Sequence, residues 1–190
     1  MKINFDVDID MADRDAFLKL IDHTPASIEK DGKRTKHNSG VYFQNIPFFP
    51  MDGFSSIDYK SAADSGWFKA DFLNNNVYKD IKDDAQLDRL LNTEPLWGLL
   101  SHKEVVEQLY HINSHYDIIN QYMPKSIEEL AMVLALIRPG KRHLIGKSFD
   151  EIKEEIWLPT TDGSYYFKKS HSIAYSAVIV VQLNLMTEQA

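Results

Sequence analysis

Residues 2–11 (KINFDVDIDM) alternate without a break, with Ile3, Phe5, Val7, Ile9 and Met11 on one side and Asn4, Asp6, Asp8 and Asp10 on the other. Period two is the signature of a β-strand with one apolar and one polar face. Carboxylates two residues apart on such a face stand about 6–7 Å from each other. An aspartate from a neighbouring strand could come closer. At 5 Å and an effective dielectric near 20, two such charges repel by about 3 kcal/mol. The cluster must therefore stay wet, take up protons or share a cation. Oxygen-only ligands suit Mg²⁺ or Mn²⁺, and paired ions of this kind serve phosphoryl and nucleotidyl transfer. A half-buried strand with a solvated acidic face fits the same alternation.

The remaining pattern places strands first and helices later. Asp13 to Ile21 reads as a short helix, and residues 22–38 as a polar, basic loop. Gly40 to Ile46 reads as a second strand, ended by the Pro47 and Pro50 segment, and Trp67 to Leu73 as a third. Residues 83–92, 103–113, 126–137, 148–156 and 172–187 carry helical character. Ser126 with Glu129 forms a capping-box start, and Arg138-Pro139-Gly140 a stop. The expected class is α+β in one domain, residues 1–190, with a strand-rich part over 1–74 and a helical part over 75–190.

Composition narrows the chemistry. The chain has no cysteine, which excludes disulfides, thiolate zinc sites and cysteine nucleophiles. Its net charge of −7 argues against a surface that grips nucleic acid everywhere. The positive charge is gathered locally: Lys30, Lys33, Arg34 and Lys36; Arg138, Lys141, Arg142 and Lys147; Lys168 and Lys169. The first ten residues hold no apolar run, and Ala177 to Val181 is too short to span a bilayer. The expectation is a cytoplasmic protein with no membrane partner.

Five segments, in order, resemble the palm and fingers of bacterial replicative (family C) DNA polymerase III alpha subunits. Residues 6–15 (DVDIDMADRD) are similar to that family's P-D-x-D-x-D-F strand, and residues 35–43 (TKHNSGVYF) to G-x-H-A-A-G-V-V-I. Residues 66–73 (GWFKADFL) are similar to G-L-x-K-x-D-F-L-G, and residues 128–140 to the helix ending in L-Y-R-P-G. Residues 164–175 (SYYFKKSHSIAY) resemble Y-x-F-N-K-S-H-S-x-A-Y. The resemblance implies a small mixed sheet of the polymerase-beta nucleotidyltransferase type. It makes Asp8, Asp10 and Asp71 the catalytic aspartates and ligands for Mg²⁺ or Mn²⁺, with Asp6 in a non-catalytic place. His37, Arg138, Lys169 and His171 become contacts to nucleotide or nucleic acid.

The departures shape the expected function. The family's phosphoesterase-like domain and its triphosphate-cradling glycine-serine loop have no counterpart in these segments, and most of the fingers between Gly140 and Tyr165 is missing. Phe5 stands for the family's proline, Asn74 for its glycine and Lys168 for its asparagine. The expectation is a minimal or degenerate palm acting in nucleotidyl or phosphodiester transfer during DNA replication, without processive synthesis. A shortened form of this kind would suit a phage genome. The alternative is a non-catalytic replisome-interaction protein. Residues 182–186 (QLNLM) resemble a sliding-clamp docking peptide and also coincide with a glutamine of the family's own helix. His111 and His115 have the spacing of two metal ligands on one helix face, but no H-E-x-x-H glutamate accompanies them, so a surface pair is the simpler interpretation.

Overall fold

A computed structural model describes residues 7–189 and divides into two compact units, Met1–Asp80 and Ile81–Ala190. The first is built on a four-stranded mixed sheet in the order β1-β4-β3-β2. Its strands are β1 (Val7–Met11), β2 (Thr24–Lys30), β3 (Lys33–Tyr42) and β4 (Ala70–Asn74). β1 and β4 are parallel, whereas β4–β3 and β3–β2 are antiparallel. The part of the alternating strand at residues 2–6 lies outside the described residues.

The alternation in β1 survives in the pairing. Val7 lies beside Ala70 and Ile9 beside Phe72, while Asp8 lies beside Asp71. Val7 and Ile9 stay exposed, and the sheet packs under α1 (Arg14–Leu18) through Met11, Val41, Ala70 and Phe72; α1 begins with the Asp13 carboxylate accepting the Ala16 N–H at 2.9 Å. Leu18, Val41, Ala70 and Phe72 form the buried cluster there, and the Phe17 ring stacks on Phe72 at 5.3 Å. A second cluster joins Ala26, Tyr42 and Ile46 to Ala62 of α2 (Tyr59–Asp64).

The basic segment expected to be a loop is instead the β2–β3 hairpin. Asp31 and Gly32 both take positive φ, 53° and 70°, as a two-residue primed turn demands. Asp-Gly is a strong local hairpin signal, but the flanking strands are polar on much of both faces and show no clean alternation. The strand expected at 40–46 accordingly begins at Lys33 and ends at Tyr42.

The second unit is helical: α3 (Asp84–Asn92), α4 (Lys103–Val106), α5 (Tyr116–Tyr122), α6 (Ile127–Leu136), α7 (Phe149–Ile152) and α8 (Lys169–Gln189). Nearly every side of α6 is apolar, so it is the central helix of its unit. Ser126 caps it by accepting the Glu129 N–H at 3.1 Å, and Glu129 reaches back to the Lys125 N–H at 2.7 Å. The helix expected over 103–113 stops after Val106. The Tyr110 N–H leaves the helical ladder to bond the Gln182 side chain at 2.7 Å, and His111 turns into the left-handed region at φ 63°. The expected 148–156 helix is α7 followed by a separate 3₁₀ turn at Glu155–Trp157.

The clamp-like residues 182–186 lie inside α8. Leu183 and Leu185 are buried, and the Asn184 amide donates to the Leu90 and Thr93 carbonyls at 2.8 Å each. Those side chains already serve the core of their own unit. Among the described residues, no helix is long and apolar enough to cross a membrane.

Candidate functional site

The acidic face is set by strand register. Asp8 and Asp71 are lateral partners in the parallel β1–β4 pair, which puts their Cα atoms about 5 Å apart and their side chains on one side of the sheet. Asp10 follows two residues after Asp8 and shares that side. Asp8 is exposed, Asp10 half-buried and Asp71 buried. The Asn75 amide donates to Asp10 Oδ2 at 3.3 Å, and Asn75 is held by its own N–H to the Met11 carbonyl at 2.8 Å. Burial pushes the Asp10 carboxyl above its ordinary value, opposed by the Asn75 hydrogen bond.

Asp71 has acquired partners that the aspartate pattern alone did not reveal. Lys69, two residues earlier on the same side of the chain, bonds Asp71 Oδ2, and the Ser39 hydroxyl donates to Oδ1 at 2.6 Å. Both come from the geometry around β3. Between the Pro25–Val41 and Ser27–Lys36 pairs, β3 advances five residues while β2 advances two, so residues 37–40 bulge from the ladder. His37 ties the bulge together: its Nδ1 accepts the Gly40 N–H at 2.9 Å and the Ser39 N–H at 3.3 Å.

Gly40 lies directly opposite Asp71. A Cβ there would stand 2.7 Å from Lys69 Cδ and 3.1 Å from His37 Nδ1, so glycine leaves the channel along which the lysine stem reaches the carboxylate. Tyr59 completes the wall, its ring 5.4 Å from His37 and 5.8 Å from the Lys69 ammonium.

His37 Nδ1 is also 3.7 Å from Asp71 Oδ1, but this is no ion pair. A nitrogen that accepts two backbone N–H groups presents a lone pair, not a proton, to the carboxylate. Burial and then the Lys69 charge hold the His37 imidazole below its usual range, consistent with a neutral ring. Lys69 therefore supplies the charge that balances Asp71. The sequence had the clue, because K-x-D on a strand sets opposite charges on one face.

All three aspartates offer hard oxygen donors, the ligand type that Mg²⁺ and Mn²⁺ prefer. Among the described residues, no three acidic or histidine side chains converge closely enough to hold one ion as they stand. Asp71 is turned to Lys69 and Ser39, so a divalent ion joining the three aspartates would exchange places with the ammonium on Asp71.

The other expected contacts belong to the helical unit. Arg138 follows α6 and stacks its guanidinium 3.8 Å from the centre of the Phe167 ring. Lys169 is exposed at the start of α8, and His171, two residues on, is half-buried.

His111 and His115 do not share a helix face, because His111 sits in a turn and His115 precedes α5. His111 is packed between Tyr110 and Tyr175, 4.1 and 4.2 Å away. Burial, with the Arg138 charge in second place, pushes its imidazole down to about 4. The folded state thus favours the neutral ring. The resulting stability is complete above the unfolded value near 6.5 and is lost as pH falls toward 4. After allowance for solvent screening of a half-buried ring, the loss should be about 1–2 kcal/mol. Urea midpoints at pH 7.5 and 4.5 measure it. His111→Asn, which tolerates the left-handed backbone, should shrink the difference between them.

Comparison of the chain with models of known protein families and with curated proteins finds no match.

Proposed function

We propose that the strand-rich unit is a minimal nucleotidyltransferase palm of the polymerase-beta type, related to the DNA polymerase III alpha palm. Its chemistry would be nucleotidyl or phosphodiester transfer in DNA replication. The observation that carries this reading is the lateral pairing of Asp8 with Asp71 across parallel strands, with Asp10 beside them on the same face. Two aspartates on one strand and a third on its neighbour put three carboxylates on one face, a donor set compatible with a two-ion transfer site.

In this reading Asp8, Asp10 and Asp71 hold Mg²⁺ or Mn²⁺. Bound ions would neutralise the phosphate charge and make an attacking hydroxyl more acidic. The protein's own part is positional. Asn75 fixes Asp10, the 37–40 bulge fixes Ser39 against Asp71, and Lys69 compensates the buried Asp71 carboxylate. On the helical unit, Arg138, Lys169 and His171 are the side chains proposed to meet nucleotide or nucleic acid.

Thermal unfolding with and without Mn²⁺ tests the metal site. Saturating Mn²⁺ should raise Tm by roughly 5 °C or more, as ligand linkage predicts for a small unit, and Asp8→Asn should abolish the rise. An unchanged Tm, together with stabilisation by Asp8→Asn, would reduce the cluster to an acidic patch. Incorporation of a labelled nucleotide onto a primer then tests transfer itself.

A second reading is supported by the Lys69–Asp71 pair. An ammonium that already satisfies Asp71 suits a non-catalytic relative whose palm binds replication components or nucleic acid.

A further inference from the structure

On the strand-rich unit, a cavity of about 340 Å³ is lined by Arg14, Asp15, Leu18, Lys19, His23 and Lys36. Three basic side chains thus face one carboxylate, on a chain whose net charge is −7. Local charge of this sign against the global balance marks the place where an anion is favoured.

Arg14 gives the cavity its chemistry. Its side chain is only 13% exposed, yet its guanidinium is poorly satisfied. Nε is buried with no hydrogen-bond partner, Nη2 reaches the Ser39 carbonyl only at 3.4 Å, and Nη1 is 3.8 Å from Asp15. A buried donor without an acceptor is costly, and a guanidinium matches the paired oxygens of a phosphate better than it matches single carbonyls. Lys19 and Lys36 are exposed and free to swing toward a bound group. His23 is oriented by a 2.9 Å contact from Nδ1 to the Ile21 carbonyl. Arg34 is different, being engaged with Glu29 and the Ser56 carbonyl, and it does not line the cavity.

We infer that this cavity is a phosphate-ester binding site, with Arg14 as the fixed fork and Lys19 and Lys36 as mobile counter-charges. The Arg14 contact to Ser39, whose hydroxyl holds Asp71, links the cavity wall to the acidic face. A phosphate held here would lie next to the proposed transfer site. The site itself needs no metal and no aspartate, so it stands or falls apart from the reading above.

The test is fluorescence anisotropy of a labelled twelve-residue oligothymidylate with the full chain in EDTA, at two salt concentrations, with unlabelled pyrophosphate as competitor. Binding should weaken as salt rises, with a log–log slope of about −2 for three cations on a single strand. Lys19→Gln/Lys36→Gln removes two exposed lysines, should leave the fold intact, and should lower affinity about tenfold or more while flattening the slope by about 1.4. Lys30→Gln/Lys33→Gln, at the exposed hairpin turn outside the cavity, is the matched control and should change affinity less than twofold. Displacement by millimolar pyrophosphate would assign the site to a terminal phosphate, and resistance to it would assign an internal phosphodiester. The inference is overturned if the oligonucleotide does not bind, or if the hairpin-turn variant loses as much as the cavity variant. A Mn²⁺ response in Tm without oligonucleotide binding would sink this inference alone; the reverse result would sink only the metal reading.

Discussion

Replacing Lys69 with methionine should destabilise the strand-rich unit by about 3–5 kcal/mol, the usual cost of removing one partner from a buried ion pair. Asp71 is 5% exposed, and Lys69 and Ser39 are its polar partners with the closest contacts. Methionine keeps the stem that crosses Gly40 but not the charge, so packing is nearly conserved and the loss reports the stranded carboxylate. Lys69→Met/Asp71→Asn should recover most of it, because a neutral amide with the Ser39 contact needs no counter-ion. Denaturant unfolding at pH 7.5 measures both variants. If Lys69→Met costs less than about 1 kcal/mol, in the range of exposed ion pairs, the pair is not what holds Asp71 in place.

The same variant separates the two functional readings. If the aspartates form a metal site, Lys69→Met removes the competing cation. Mn²⁺ should then restore the lost stability and bind more tightly than to the parent chain. If the pair has replaced the metal, Mn²⁺ should leave Lys69→Met as unstable as before, and the non-catalytic reading is the better one.

Much of the first strand was legible from its alternation, because its pairing follows period two, although Val7 and Ile9 on its apolar side remain exposed. Asp71 could be attached to Asp8 only through the family resemblance, since nothing local in K-A-D-F-L says which strand it will lie beside. The register now supplies that information. What escaped is chiefly non-local. The 37–40 bulge depends on a mismatch between two strands, and Gly40 is needed because a lysine from a third strand passes over it. Arg14 looked like an ordinary first-turn residue of a short helix, and its role emerges only when the β2–β3 hairpin brings Lys36 to the same cavity. The hairpin itself was signalled by Asp31-Gly32, but the basic composition around the turn obscured it. In the helical unit, helices with an apolar side and a capping residue, such as α3 and α6, were readable to within a residue or two. Residues 103–113 were not, because the competing partner of the Tyr110 N–H comes from a glutamine more than seventy positions away.

Gly140 carries the other large expected effect. In sequence it closes Arg-Pro-Gly and looks like a helix stop, replaceable by any residue that tolerates a turn. The structure gives it a different duty. Its N–H donates to the Tyr165 carbonyl at 2.9 Å, which draws the 160–165 segment against the backbone. A Cβ would meet Thr160 Cγ2 at 2.6 Å, Ser164 Oγ at 2.8 Å and the Tyr165 carbonyl at 3.0 Å. None of these can easily move. The Thr160 hydroxyl is tied to the Ser164 carbonyl at 2.7 Å, the Ser164 hydroxyl to Asp162 at 2.6 Å, and the third contact is backbone. Gly140→Ala should therefore cost roughly 2–3 kcal/mol, the upper part of the range for overpacking. Gly98→Ala is the internal standard, since nothing lies within 4 Å of a Cβ there and its φ is not positive. That change should be neutral or stabilise slightly by restricting the unfolded chain. Urea unfolding followed by far-UV circular dichroism compares the two. Equal midpoints would mean that the 160–165 segment does not press on Gly140 in solution, and that the glycine serves only the turn.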